Sequence, residues 1–345
     1  MNIDFQFREK IPVAILGATG TVGQQFVALL STHPWFEITT LTGSERSIGK
    51  PYQEAVHWLQ QNPIDPLIAP IVVSANNPSS SVSIAFSALD ASIAGPIETA
   101  YAEAGVIVIS NASAHRMRSD VPLLIPDVNP HHLDLLAQQT TKGKIITNPN
   151  CTATGLTLAL KPLHDLFGIE SVHAVTFQAI SGAGYPGVSA YDILDNVIPH
   201  IAGEEEKIEK EPLKILGDSS IKISAQCNRA PLTDGHLECV SVTLKKKASK
   251  DEIINAWNSY QGLAQELKLP SAPLQPIQYR QEQNYPQPRY QKMRGKGMAV
   301  AIGQLRDSQN FDYQFTLLTH NTIRGAAGGA ILNAELLVKQ GFVYW

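Results

Sequence analysis

The sequence has few cysteines, no strong excess of charge of either sign and no long apolar run. Its three cysteines cannot all pair in disulfides, and their spacing matches no zinc pattern, which favours a reducing compartment. A net charge of -4 gives no indication of nucleic-acid binding. No apolar segment approaches the ~20 residues of a membrane-spanning helix, and residues 1–10 are too polar for a signal peptide. We therefore expect a cytoplasmic protein that binds neither nucleic acids nor membranes.

The length and composition that remain are those of a globular protein. Hydrophobic residues make up 43% of the chain and charged residues 17%, which excludes a disordered chain and leaves ample material for a core. A chain of 345 residues suggests two domains of ordinary size.

A glycine-rich turn follows the first apolar strand, residues 12–16. The turn has the sequence GATGTVG from Gly17 to Gly23 and leads into a helical run at 24–30. Strand, glycine turn and helix in this order are typical of a dinucleotide site, where the pyrophosphate lies on the helix N-terminus. The GxxGxxG spacing is a variant of the usual fingerprint, and an ordinary tight turn in an α/β domain is the alternative interpretation.

The loop after the second predicted strand, residues 37–41, indicates which dinucleotide binds. Ser44, Arg46, Ser47 and a lysine lie within residues 42–50, and such side chains suit the 2′-phosphate of NADP. Glu45 lies in the same loop and could instead bind the free 2′-hydroxyl of NAD. We expect NADP, with an ordinary solvated loop as the bland alternative.

Two more strands, at 83–86 and 106–109, flank a helical run at 95–104 and complete another βαβ unit. Ser87 follows the first of these strands, and the segment 110–116 follows the second. Ligands of doubly wound sheets lie at such strand ends. Arg116 could therefore bind an anionic ligand, although a surface arginine is the simpler interpretation.

A polar corner at residues 148–155 joins a strand at 144–147 to a helix at 156–166. Asn150 is a good N-cap, which would place Cys151 in the first turn of the helix. Free N–H groups and the positive dipole end at that place favour a thiolate and hence a nucleophile. A buried structural cysteine is the alternative.

The second half of the chain changes its pattern from helix–strand alternation to long alternating strands. Residues 201–216 are charged and helix-prone, with a mostly solvated face expected, and Pro212 is expected to begin a helical segment. The final run, 321–340, predicts an amphipathic helix that returns to the first domain. Strands are predicted at 172–179, 237–244, 297–305 and 312–318, with a helix at 251–265.

These elements predict an α/β protein with two domains. A Rossmann-like dinucleotide-binding domain covers residues 1–149, and an α+β substrate and dimerisation domain with a mostly antiparallel sheet covers 150–320. The C-terminal helix, 321–345, completes the first domain.

A cysteine nucleophile beside a nicotinamide implies aldehyde oxidation or its reverse. The thiolate adds to the aldehyde, hydride leaves, and a thioester remains for phosphate, water or a thiol to cleave. A general base must take the hemithioacetal proton. His236 suits this role because it follows a glycine, begins a strand and lies seven residues after Arg229.

Taken together, these motifs resemble the aspartate-semialdehyde dehydrogenase family, nearly end to end and in order. The segments that carry the resemblance are GATGTVG at 17–23, SALD at 87–90, SNA at 110–112, NPNCT at 148–152, QAISGAG at 178–184, RAP at 229–231 with DGH at 234–236, and NTIRGAA at 321–327. The segments NVIP at 196–199 and GEEEK at 203–207 look most like the archaeal and fungal branch.

The resemblance implies NADPH-dependent reduction of aspartyl 4-phosphate to aspartate 4-semialdehyde on the route to lysine, methionine, threonine and isoleucine. It implies a homodimer or homotetramer. By resemblance, Cys151 is the nucleophile, His236 the acid/base and Gln178 the residue that orients substrate, while Arg229 binds the α-carboxylate. Further substrate contacts come from Glu211 to the α-ammonium, Lys214 and Arg116 to phosphate, and Asn150. The cofactor would contact Gly17, Thr19, Gly20, Thr21, Val22, Ser44, Arg46, Ser47, Ser87, Gly182 and Asn321.

Two questions stay open at the level of sequence. Glu204 and Lys207 have the same spacing as Glu211 and Lys214, so either pair could contact substrate. Related reductases acting on N-acetyl-glutamyl phosphate or malonyl-CoA are rival functions, and a non-catalytic dinucleotide-binding regulator is a rival of a different class. The first of these would have Asn-Pro-Gly-Cys-Tyr around its cysteine, whereas Asn150 and Thr152 flank Cys151 here.

Overall fold

A computed structural model describes residues 10–78 and 81–343. Of the N-terminal segment 1–10, which was predicted not to be a signal peptide, only Lys10 lies within the described residues. The strands are β1 Ile11–Leu16, β2 Phe36–Leu41, β3 Ile84–Ser87, β4 Ile107–Ser110, β5 Ile145–Thr147, β6 Ile169–Gln178, β7 Lys222–Arg229, β8 His236–Leu244, β9 Ile277–Arg280, β10 Val300–Asp307 and β11 Tyr313–Thr319. The α-helices are α1 Thr21–Leu30, α2 Tyr52–Ala55, α3 Ala91–Glu103, α4 Cys151–Phe167, α5 Ala190–Ile193, α6 Glu204–Leu216, α7 Lys250–Ser259, α8 Leu263–Glu266, α9 Pro288–Gln291 and α10 Gly328–Lys339. The described residues also form three 3₁₀ helices, Pro130–Gln138, Ile180–Ala183 and Arg294–Gly297, and one π-helical turn, Ile323–Ala327.

The first sheet is parallel, with strand order β2-β1-β3-β4-β5. Its strands are short apolar runs because both faces are covered by helices. Because the strands are parallel, the carboxyl ends of β1, β3, β4 and β5 lie at the same end of the sheet. The glycine turn, Ser87 and the segment before Cys151 therefore lie close together there. This edge is where doubly wound sheets bind ligands.

The second sheet is mixed, with order β7-β6-β8-β11-β10-β9. Its three central pairings are antiparallel, as predicted, whereas both edge strands pair in parallel with their neighbours. Neither edge strand was predicted from the sequence. Helix α4 packs on this sheet together with α6 and α7, and the indole N–H of Trp257 donates to the carbonyl of Ala159 on α4.

The C-terminal run differs from the amphipathic helix predicted for it. A π-helical turn precedes α10, and every residue of α10 from Gly328 to Val338 is buried. Ile331, Leu332 and Leu336 belong to the same hydrophobic cluster as β1 and α1. The run packs against the first sheet as expected. The prediction of an amphipathic helix was wrong, because α10 is buried on all sides and has no solvated face.

Helix α6 also differs from its prediction. Pro212 lies inside the helix and does not begin it, and Glu204, Ile208 and Glu211 are buried although the run was expected to be mostly solvated. Gly203 precedes the helix in a left-handed conformation. Within the described ranges, no helix is long and apolar enough to cross a membrane.

Candidate active site

Cys151 is the first residue of α4, where the chain leaves the edge of the first sheet. The side chain of Asn150 accepts hydrogen bonds from the backbone N–H groups of Thr152 at 2.9 Å and Ala153 at 3.2 Å, and so caps the helix as predicted. Cys151 is partly exposed, whereas Cys227 is buried. Cys239 is exposed, and because side chains alternate along a strand, it lies on the opposite face of β8 from His236. Cys151 is therefore the cysteine that a substrate in this cleft can reach.

His236 begins β8 and lies directly against the thiol. Its Nε2 is 3.2 Å from Cys151 Sγ, and its Nδ1 accepts a hydrogen bond from the backbone N–H of Ala179 at 3.0 Å. Burial, reinforced by the nearby charge of Arg229, lowers the pKa of His236 to about 3. The imidazole is neutral at physiological pH.

The thiol of Cys151 is also neutral in the absence of substrate. Although the residue is partly exposed, its sulfur lies among protein groups, and this desolvation raises its pKa to about 12, with the carboxylate of Glu204 adding to the effect. The charge of Arg116 and the N–H of Thr152 act in the opposite direction but are outweighed. The sequence-based expectation of a thiolate considered the helix N-terminus alone and missed both the burial and the acidic neighbour.

Gln178 and Arg229 face the same cleft because β6 and β7 pair in register at their last residues. Arg229 is buried and its Nη1 donates to the carbonyl of Ala179 at 2.7 Å. The Nε2 of Gln178 lies 3.4 Å from Glu204 Oε2. Gly182 packs closely on Arg229 and His236, since a Cβ at Gly182 would lie 2.8 Å from Arg229 Nη1 and 3.3 Å from His236 Cε1.

The two candidate glutamates on α6 have different surroundings. Glu204 contacts Gln178 and accepts hydrogen bonds from the side-chain amide of Asn150 at 3.0 and 3.2 Å. Glu211 uses one oxygen for Arg116 Nη1 at 2.9 Å and the other for the backbone N–H of Asn150 at 2.6 Å. Glu204 is thus next to the thiol and Gln178, while Glu211 anchors the segment that carries Cys151.

The two candidate lysines separate in the same way. Lys207 is partly exposed and pairs with Glu204 at 2.6 Å. The ammonium of Lys214 donates to the carbonyls of Arg116, Arg118 and Val121 at 2.6, 2.7 and 2.9 Å. Three donors with three backbone acceptors leave none for a phosphate, so the geometry does not support the phosphate contact expected of Lys214.

Arg116 is buried beside the cysteine segment, not on the surface. Its Nε donates to the carbonyl of Asn148 at 3.0 Å, and its Nη2 donates to the carbonyl of Asn111 at 2.5 Å. With the bond to Glu211, three of its five N–H groups are used. The guanidinium still places a positive charge near Cys151.

The glycine turn has the features that a dinucleotide pyrophosphate requires. Gly17 has φ +76°, and a Cβ there would lie 2.9 Å from the carbonyl of Ala88. Gly20 precedes α1 without a side-chain cap, so the first N–H groups of the helix face outwards. The hydroxyl of Thr21 is buried there without a protein partner. Thr19 lies in the turn and Val22 in the first turn of α1, so these residues fit the phosphates of a dinucleotide.

Of the remaining predicted cofactor residues, Ser87 is the fully buried last residue of β3, and the others fall into two groups. Ser44 and Arg46 are exposed and Ser47 is buried in the loop after β2, which adjoins the glycine turn through Thr42 O and Ala18 N at 2.9 Å. Gly182 and Asn321 lie on the catalytic side. The side chain of Asn321 accepts a hydrogen bond from the N–H of Gly235 at 2.8 Å and donates one to Ser181 Oγ at 2.9 Å. It therefore links the loop that precedes His236 to the turn that contains Gly182.

Comparison with known proteins identifies the family to which this site belongs. Two family models match: the semialdehyde dehydrogenase NAD binding domain over residues 12–136 and the semialdehyde dehydrogenase dimerisation domain over residues 160–324. An aspartate-semialdehyde dehydrogenase of Archaeoglobus fulgidus is 45% identical over 97% of this chain and 100% of its own length. The chain belongs to the aspartate-semialdehyde dehydrogenase family.

Other aspartate-semialdehyde dehydrogenases support the same membership. The Schizosaccharomyces pombe relative is 46% identical over 96% of this chain and 99% of its own. The crystal structure of the Candida albicans enzyme with NADP superposes with a TM-score of 0.89 at 40% identity, covering 96% of this chain and 99% of that one. The archaeal and fungal resemblance found in the sequence is confirmed.

Some contacts of this aspartate-semialdehyde dehydrogenase site had no signal in the sequence. The π-helical turn packs on the nucleophile so closely that a Cβ at Gly325 would lie 2.7 Å from Cys151 Cβ. Arg324 in that turn forms a buried ion pair with Asp127. The RGAA segment had pointed to this turn only through the family resemblance.

Proposed function

We propose that the protein catalyses the NADP-dependent reductive dephosphorylation of aspartyl 4-phosphate to aspartate 4-semialdehyde, through a thioester on Cys151. This reaction supplies the semialdehyde from which lysine, methionine, threonine and isoleucine are made. The observation that carries the proposal is the 3.2 Å contact between Cys151 Sγ and His236 Nε2 at the edge of the sheet that bears the glycine turn. A thiol paired with histidine beside a nicotinamide site suits acyl transfer coupled to reduction.

The substrate contacts follow from the chemistry of the groups around the thiol. Arg229 presents a planar fork that matches an α-carboxylate, and Glu204 supplies a negative charge for the α-ammonium. Burial alone would raise the pKa of Glu204, but Lys207 and the amides of Asn150 and Gln178 hold it below its usual value. Gln178, Asn150 and Glu204 together orient the acyl group over the sulfur.

The phosphate leaving group needs positive charge on the open side of the thiol. Lys207 is partly exposed next to Glu204, and Arg116 adds charge from beneath. We assign the phosphate contact to these two residues and give Lys214 and Glu211 a structural role, because the polar atoms of both are satisfied by the protein.

NADP would lie across the glycine turn. Gly17, Gly20 and Thr21 would hold its pyrophosphate, Ser44, Arg46 and Ser47 its 2′-phosphate, and Ser87 and Gly182 the approach to its nicotinamide. When bound in its reduced form, NADPH, it would supply the hydride of the reaction. A homodimer or homotetramer formed through the dimerisation domain completes the proposal, and cytoplasmic location stays a prediction.

The test of this function is substrate-dependent turnover. We expect aspartate semialdehyde to reduce NADP beyond one equivalent per enzyme subunit only when phosphate is present, and we expect no oxidation of NADPH with malonyl-CoA or reduction of NADP by N-acetyl-glutamate semialdehyde. Faster turnover with either rival substrate would transfer the assignment to that reductase. No turnover with any of the three would favour the non-catalytic regulator.

The two glutamates on α6 provide a matched pair of variants. Glu204→Gln removes the charge proposed for the α-ammonium and should lower kcat/KM by about ten-fold to a hundred-fold, with little change in thermal stability. Glu211→Gln breaks a buried ion pair with Arg116 and should cost roughly 3 kcal/mol of stability. Steady-state kinetics and thermal melts of both variants measure this. A larger catalytic defect in a stable Glu211→Gln protein would reverse the assignment.

Cofactor preference tests the loop after β2. We expect higher kcat/KM with NADP than with NAD. Arg46→Ala should lower the ratio of the two kcat/KM values by about ten-fold or more, since a charge-assisted contact is worth roughly 1.5–3 kcal/mol. Lys246→Ala, an exposed lysine after β8 and outside this loop, is the control for a general loss of charge. Equal use of both cofactors by the wild type would mean that Glu45 binds the ribose.

A further inference from the structure

Glu98 is a carboxylic acid in the apolar core of the first domain. It lies on the core-facing side of α3 together with Ala94, Tyr101 and Ala102, and its side chain is fully buried. A buried carboxyl group is destabilising unless other groups bond to it. The proposed reaction does not use Glu98, so the contacts of this side chain indicate its role.

These contacts go to both ends of the segment 110–116, which follows β4 and ends at Arg116. At the start of the segment, Ser110 Oγ donates to Glu98 Oε1 at 2.7 Å and accepts the backbone N–H of Ala112 at 3.1 Å. At its end, His115 Nε2 lies 3.5 Å from Glu98 Oε2. Within the described residues, no other hydrogen bond of ordinary geometry reaches either of these two atoms. One side chain therefore holds the segment at both ends.

The surroundings of Glu98 and His115 favour their uncharged forms. Burial raises the pKa of Glu98, and this outweighs the hydroxyls of Ser110 and Ser87 and the charge of Arg116, which act in the opposite direction. Burial likewise lowers the pKa of His115. In these forms the acid proton of Glu98 can lie between the carboxyl group and the imidazole, so the contact needs no buried charge.

Arg116 is the side chain that this arrangement positions. It follows His115 directly, and its Nη2 donates back to the carbonyl of Asn111, which closes the segment. Its further bonds to Asn148 and Glu211 leave one N–H on each terminal nitrogen. Two such N–H groups form a fork that suits a phosphate. A shift of the segment would move this fork.

We propose that Glu98 is a positioning residue for the phosphate of the reaction, because it holds both ends of the segment 110–116 and so fixes the fork of Arg116. This inference rests on the proposed function and deepens it. Glu98 itself is buried behind the segment and acts through Ser110, His115 and Arg116.

Two substitutions of Glu98 separate its polar contacts from its volume. Glu98→Met keeps a side chain of similar length and removes both contacts, whereas Glu98→Gln can still accept from Ser110 and donate to His115. In the assay with aspartate semialdehyde, NADP and varied inorganic phosphate, Glu98→Met should raise the KM for phosphate by about ten-fold or more. The KM for aspartate semialdehyde and the Kd for NADP should change little, and Glu98→Gln should stay close to the wild type. Glu103→Met, at an exposed glutamate on the same helix, is the matched control.

A general structural role predicts a different pattern. Equal losses for phosphate, aspartate semialdehyde and NADP would overturn the inference, and so would a folded Glu98→Gln protein as poor as Glu98→Met. If Glu98→Met does not fold, Ser110→Ala removes one of the two contacts in its place and should raise the KM for phosphate by about two-fold to ten-fold. An unchanged KM for phosphate in that variant would equally contradict the inference.

A double-mutant cycle tests whether Glu98 acts through Arg116. Arg116→Lys keeps the positive charge but loses the planar fork. In this background Glu98→Met should raise the KM for phosphate by less than about three-fold further, because coupled residues are not additive. The same rise in both backgrounds would show that Glu98 acts by another route and would overturn the inference.

Phosphate binding without turnover separates this inference from the proposed function. Inorganic phosphate should slow the alkylation of Cys151 by iodoacetamide in the wild type, and Glu98→Met should need more phosphate for the same protection. A protein that shows this difference but does not use aspartate semialdehyde would refute the function alone. A protein that uses aspartate semialdehyde but is protected equally in both forms, or in neither, would refute the role of Glu98 alone.

Discussion

Replacement of Cys151 by alanine should lower turnover by roughly 10⁴-fold or more, because no other group in the cleft can carry the acyl intermediate. NADP binding should stay near the wild-type value, since the glycine turn lies after β1 and makes its contacts independently of the thiol. Serine should be nearly as poor, because a hydroxyl is not ionised near neutral pH without a strong base, and burial lowers the pKa of His236.

The other two cysteines are the controls for this result. Cys227→Ala and Cys239→Ala should keep most of the activity, because Cys227 is buried in β7 and Cys239 is exposed on β8 away from the cleft. Steady-state rates and NADP titrations of all three variants provide the comparison. Substantial activity in Cys151→Ala would remove the covalent mechanism altogether.

The second large effect is expected at Arg229. Arg229→Lys keeps the charge but loses the planar fork, and it should reduce kcat/KM by roughly two to four powers of ten. Misplacing the acyl carbon over Cys151 by ~1 Å is itself worth about 10², and a lysine also gives up one of two parallel hydrogen bonds to the substrate carboxylate. NADP affinity and the alkylation rate of Cys151 should change little by comparison.

A structural role is the competing explanation for Arg229. The guanidinium donates to the carbonyl of Ala179, so it also braces the loop that fixes His236. Under that explanation, Arg229→Lys would lose thermal stability with its activity, and the ratio of wild-type to mutant kcat/KM would be the same for a substrate analogue without the α-carboxylate. We expect the two proteins to have similar kcat/KM values for that analogue. Arg306→Lys, an exposed arginine on β10, is the matched control.

Local rules were enough to predict the parts of the site that depend on neighbours in sequence. Asn150 had the side chain of an N-cap and accepts the two expected N–H groups, and the glycine turn falls between β1 and α1 as its motif required. These features are determined by a few consecutive residues, so the sequence alone contains the information.

Features decided by distant contacts could not be predicted in this way. Glu204 and Glu211 share their spacing to a lysine, and only the packing of α6 against Asn150 distinguishes them. The ring of His236 is held by a hydrogen bond from the backbone N–H of Ala179 to Nδ1, and no sequence pattern indicates that contact. The pKa of Cys151 rises because burial and Glu204 outweigh the helix N-terminus, and neither is visible along the chain.

The central claim, that an aspartyl group is carried on Cys151, can be tested by one mass measurement. The wild-type protein is mixed with aspartate semialdehyde and NADP without phosphate, digested, and analysed by mass spectrometry. We predict an aspartyl thioester on the peptide that contains Cys151, which disappears when phosphate is added. An adduct on Cys227 or Cys239, or an adduct on Cys151 that phosphate does not discharge, would contradict the account.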